Sequence, residues 1–134
     1  MATPTTQTFR LPLSSGATGA TVSVAVTSAG GDRPVVVLAG SLAALAGRLA
    51  RAGFATVTLD PPSPDHVTLV LQALQGGALG LRAQRCGLVE REDDGWIVVT
   101  RIEAGTRLPG MSVRDDSPDR AAAAVVQWLT QHVV

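Results

Sequence analysis

The chain has 134 residues, with eleven basic and eleven acidic residues in exact balance. A chain of this length buries roughly two-thirds of its unfolded surface, so residues 1–134 are expected to form a single domain whose core needs neither metal nor disulfide. All the basic residues are arginines scattered from Arg10 to Arg120, which excludes the basic run that tracks nucleic-acid phosphates.

The elements follow in chain order. "FRLPL" puts Phe9, Leu11 and Leu13 on one face, and "TVSVAVT" does the same with Val22, Val24 and Val26. A period of two marks half-buried strands, and the turn residues of "SSGATGA" between them predict an antiparallel pair. After the loop "AGGDRP", the run "VVVLAG" reads as a strand covered on both faces. The period then changes. Leu42, Leu45, Leu49 and Ala52 fall at helical spacing, with Ser41 placed to cap the helix and Gly53 to end it. "FATVTLD" returns as a strand ending at Asp60, so strand, helix and strand form a βαβ unit with a parallel pair.

"PPSPDHVTLVLQALQGG" repeats the device. Ser63 is the cap, Pro64 suits the first helical position, and Asp65 favours the positive end of the helix dipole. Val67, Val70, Leu71 and Leu74 form its buried stripe, and Gly76-Gly77 stop it. "RCGLVERE" is the next strand. "RIEAGTRLPGMSVRDD" reads as a late loop. Ser117, Pro118 and Asp119 then start a C-terminal helix whose inner face is expected to carry Ala121, Val125, Trp128, Leu129 and His132.

Cys86 is the only cysteine, so no intrachain disulfide can form, and inside a strand it reads as an inert core residue. The opening "MATPTTQTFRLPLSS" lacks the charged start and apolar run of a secretory signal, and no apolar stretch approaches a membrane span. A cytoplasmic protein with no membrane and no nucleic-acid partner is expected. There is no phosphate-binding glycine loop, no dinucleotide fingerprint, and no zinc or calcium ligand spacing. Neither a cofactor nor a metal is expected.

Taken in order, these pieces resemble the α/β-hydrolase superfamily, in particular its dienelactone-hydrolase-like branch. The likeness rests on the order of the parts. "TFRLPLSSGATGATVSVAVTSAGGDRPVVVLAG" resembles the opening antiparallel strands and the strand entering the oxyanion loop. "SLAALAGRLARAGFATVTLDPP" resembles the first helix and following strand, with the helix ending in Ala-Gly-Phe. "ALGLRAQRCGLVEREDDGW" resembles the approach to the nucleophile elbow, and "SPDRAAAAVVQWLTQHV" the closing helix. The resemblance implies an α/β fold: a small three-layer sandwich with a mostly parallel sheet and antiparallel N-terminal strands, a truncated α/β-hydrolase-like domain. Any enzyme activity it implies is hydrolysis of small esters or lactones.

The serine triad that the family pattern requires is not matched. An elbow needs G-x-S-x-G because its nucleophile sits in a strained strand-to-helix turn. "GLVEREDDGW" sets Glu90 and Asp94 at the two glycine positions and Glu92 at the nucleophile, with Gly95 just beyond. A second register, "GGALG", sets Ala78 in place of serine. Ala39-Gly40 stands where the family often has His-Gly, and Thr106 and Arg107 stand where its catalytic histidine belongs. His66 and His132 are not in the family's histidine loop. The same acidic stretch also reads as a β-hairpin, because Trp96, Ile97, Val98 and Val99 are strand formers and Asp94-Gly95 is a hairpin turn signal.

The leading expectation is therefore a degenerate, hydrolase-like pseudoenzyme. It would bind a small acyl or carbonyl molecule around Gly40, Ser41, Asp60 and Pro61, at the carboxyl ends of the parallel strands. A truncated sheet leaves an edge or face uncovered, so a homo-oligomer or a partner subunit is expected as well. One alternative is an active hydrolase or lyase using Glu92 or Asp93 as the reactive carboxylate. Another is a purely structural oligomer subunit.

Overall fold

The computed structural model describes residues 5–12, 21–28, 34–40, 43–59, 64–75, 85–92, 95–103, 106–114 and 117–133. In chain order the elements are β1 (Thr5–Pro12), β2 (Thr21–Ser28), β3 (Val35–Ala39), α1 (Ala43–Arg51), β4 (Ala55–Leu59), α2 (Pro64–Gln75), β5 (Arg85–Arg91), β6 (Trp96–Glu103), β7 (Thr106–Arg114) and α3 (Pro118–His132). The strands form one sheet in the order β1-β2-β4-β3-β5-β6-β7.

The expected antiparallel start is present: Phe9 faces Val24 across β1 and β2. β3 lies between β4 and β5 and is parallel to both, which is what two helical crossovers require. The expectation of a mostly parallel sheet is corrected. β2 meets β4 antiparallel, and β5, β6 and β7 form an antiparallel meander. The segment read as a late loop is the end of β6 and all of β7. Its Pro109-Gly110 pair is a β-bulge where the register between β6 and β7 shifts beside Thr100. Proline fits there because bulges and edge strands tolerate its missing N–H. A Cβ at Gly110 would overlap the Val99 carbonyl, so the strands approach this closely only over glycine.

Helices cover both faces, giving the expected three layers. On one face α2 sends Val67, Val70 and Leu74 onto Val24, Val35, Val37, Val57, Cys86 and Leu88. On the other, Leu45 and Leu49 of α1 and Ala121, Val125 and Leu129 of α3 pack on Val36, Leu38, Val89, Ile97 and Val99. β3 alternates between the two clusters, and every one of its side chains is buried. This two-sided burial explains its unbroken apolar run.

Gly53, at φ 101°, ends α1 in the left-handed region as its position predicts. Gly87 has a different role: a Cβ there would lie 2.5 Å from Leu129 Cδ2, so its bare Cα lets α3 settle on β5. An ion pair between Arg48 and Asp119 ties α1 to α3 at the surface. Two expectations for the C-terminal helix are corrected. Ser117 occupies the N-cap, but its side chain makes no capping hydrogen bond; its carbonyl accepts from the Ala121 N–H. His132 lies outside the inner stripe: it is exposed and stacks on Trp128 with ring centroids 4.4 Å apart.

Candidate functional site

The carboxyl ends of β3, β4 and β5 lie together, because parallel pairing sets Ala39 beside Leu59 on one side and Glu90 on the other. From neighbouring ends the chain leaves in opposite directions. α1 follows β3 onto one face and α2 follows β4 onto the other. In open α/β sheets this divergence opens a crevice at the strand ends, where ligands bind.

Gly40 stands at this end with φ 117°, a backbone region that favours glycine. Its N–H donates to the Leu59 carbonyl at 2.9 Å. That bond engages the Gly40 amide, so an oxyanion bound at the strand ends would need other donors. Ser41, Asp60 and Pro61 adjoin these strand ends in sequence but lie outside the described residues. His66, in the first turn of α2, has a buried Nδ1 with no hydrogen-bond partner among the described residues. Sequence reasoning passed over His66 because it lacks the family's histidine context. The usable signal was its position one turn into a helix that starts at the strand ends.

The acidic stretch forms a hairpin. β5 reverses directly into β6, with Glu92 N–H donating to the Trp96 carbonyl at 2.8 Å and Gly95 N–H to the Glu92 carbonyl at 3.1 Å. Gly95 sits at φ 88°, the left-handed position that tight hairpin connections use. The strand-to-helix turn of a nucleophile elbow is therefore not formed at Glu92. Glu92 itself is exposed at the tip, while Asp93 and Asp94 lie outside the described residues. Neither Thr106 nor Arg107 sits in a loop; both belong to the edge strand β7.

Cys86 is 3% exposed under α2, and burial pushes its thiol up from the ordinary 9.0 to about 11. A thiol held protonated is a poor nucleophile, in keeping with its reading as an inert core residue. Among the described residues no cluster of His, Cys, Asp and Glu could hold a metal ion, and no helix is long and apolar enough to cross a membrane.

A concavity of about 760 Å³ lies along the β6–β7 hairpin, with Glu92, Trp96, Val98, Thr100, Arg107 and Pro109 among its lining residues. Trp96, Val98 and Thr100 alternate onto the face opposite that of Ile97 and Val99, which pack toward α3. Trp96 is 37% exposed, the most prominent exposed apolar side chain described. The sequence signal for this groove was the alternation beginning at Trp96, readable only once β6 is taken as a strand. Comparison with known proteins found no match to this chain among family models, curated proteins or solved structures.

Proposed function

We propose that this chain is a degenerate α/β-hydrolase-like protein that binds a small acyl or carbonyl compound without hydrolysing it. The observation that carries the reading is the divergence of α1 and α2 from the ends of the adjacent strands β3 and β4. Gly40, and in sequence Ser41, Asp60 and Pro61, belong to these strand ends, the position at which such sheets hold ligands. The opening antiparallel pair followed by two parallel crossovers agrees with the order of parts in the family. The hairpin at Glu92 argues against catalysis, because a nucleophile needs a strained, supported turn and a base in reach. The His66 Nδ1, buried without a partner among the described residues, suits a carbonyl or carboxyl oxygen.

Two assays test this reading. Purified protein and Glu92→Gln are expected to leave activated short-chain esters untouched. Turnover by the wild type that vanishes in the variant would assign chemistry to the hairpin tip and overturn the proposal. A panel of short carboxylic acids, lactones and ketones is then screened by melting temperature. A ligand at a hundredfold excess over its Kd stabilises by about 2.7 kcal/mol, which a thermal shift detects readily. Saturable stabilisation by one chemical class, lost in His66→Ala, is the expected result. No shift with any class would remove the ligand and leave a structural subunit.

A further inference from the structure

We propose that the face of the β6–β7 hairpin opposite α3 is the seat of a second copy of this chain, docked about a two-fold axis through the groove. The groove floor, from Trp96 through Val98 to Pro109, is apolar and open. α1 and α3 lie on the other side of the sheet, and the buried stripe of α2 belongs to a cluster that includes none of Trp96, Val98 and Thr100. The open face centres on Trp96, which is 37% exposed.

Charge identifies the occupant. Among the described residues Glu92 and Arg107 are the charged groups lining the groove. They stand at opposite ends of it. Glu92 pairs with Trp96 at the hairpin tip, whereas Arg107 lies across from Ile102, six residues further along β6. At the rise of a strand that separation is roughly 20 Å. In an isologous interface residue i meets j and j meets i. A two-fold axis between these ends brings Glu92 of one protomer to Arg107 of its partner twice over, with the two apolar floors face to face. Zero net charge on the chain removes general repulsion between copies.

Docking uses the face rather than the outer edge of β7. That edge carries Arg107 and Arg114 and is interrupted by the Pro109-Gly110 bulge, devices that block strand addition. The proposal is independent of any ligand in the crevice, since dimerisation is measured with none present.

Sedimentation velocity of the full chain, from micromolar to hundreds of micromolar, tests it. Wild type is expected to run as a concentration-dependent dimer. Glu92→Arg and Arg107→Glu should each weaken that dimer roughly tenfold or more, because each puts like charges together twice. The double reversal, carrying both substitutions, restores the opposite pairing and should restore the dimer. Circular dichroism confirms the fold of each variant. Should a reversal fail to fold, Trp96→Ser at the groove floor must weaken the dimer in its place. A wild type that remains monomeric at the highest concentration overturns the proposal and leaves the groove to another occupant. So does a dimer that ignores the single reversals, or one that the double reversal does not recover.

Discussion

The alkaline stability of this protein should be governed by a single thiol. The chain contains no lysine and no tyrosine, so between about pH 9 and pH 11 Cys86 is the side chain left to titrate. Cys86 sits in β5 with Val35 and Ile102 as its cross-strand partners, beneath the stripe of α2. Burial raises its thiol from 9.0 to about 11. In the unfolded chain the proton leaves near pH 9, while the folded chain holds it until about pH 11. Between those values the native state binds more protons than the unfolded state, so stability falls as pH rises. It is fully present below pH 9 and is lost as pH rises through about 11, a change of ~3 kcal/mol at 1.36 kcal/mol per unit. The assay is urea unfolding followed by tryptophan fluorescence at a series of pH values, for wild type and Cys86→Ala. The substitution removes the titrating thiol, so the variant starts less stable below pH 9 but its curve should stay flat across the window where wild type declines. Parallel curves for the two proteins would refute the reasoning. So would a native thiol that reacts with a disulfide reagent at pH 8 as fast as a free one.

Three further outcomes test the packing. Gly87→Ala drives a methyl group to 2.5 Å from Leu129 Cδ2, about 1 Å inside normal contact, and should cost ~1–3 kcal/mol in urea unfolding. Combined with Leu129→Ala, which alone should cost ~2–5 kcal/mol, it should prove less harmful than the sum of the two; strict additivity would mean that α3 does not rest on Gly87. Thr56 is fully buried and its hydroxyl has no partner among the described residues, so Thr56→Val should raise stability by ~1 kcal/mol, and a loss would reveal a hydrogen bond. Gly110→Ala should open the β6–β7 bulge, seen as faster amide exchange in β7 than in β3, because the Val99 carbonyl occupies the space of the new methyl.

Much of the fold was legible because local periodicity reports burial. β1 to β4 and the three helices fall where alternating, continuous or helical apolar patterns predict them, and Pro64 and Pro118 stand first in α2 and α3. β7 carried no such signal. Its side chains are exposed or only half-buried, so little alternation was written into it, and its Pro-Gly pair reads locally as a loop. His132 was misplaced for a related reason. Helical spacing gives angles around an axis, whereas burial also depends on where the neighbouring strands end.

The candidate site was legible in outline only. Sequence order located the ends of β3 and β4, and it left the acidic stretch open between elbow and hairpin. Branched residues fit a strand, but a strong local preference can be overridden by packing. Tertiary pairing resolved that choice when β6 found both β5 and β7 as partners. It also engaged the Gly40 amide with Leu59, a bond between residues far apart in the chain.

From the sequence alone came β1 to β5 and the three helices, the buried cysteine, the absence of a serine elbow and the missing lysines and tyrosines. Each is a property of composition or of a short stretch. The strand order, the opposite faces taken by α1 and α2, and the groove running from Glu92 to Arg107 came only from the folded chain. They depend on which distant segments share a hydrogen-bond ladder, and no local pattern encodes that choice.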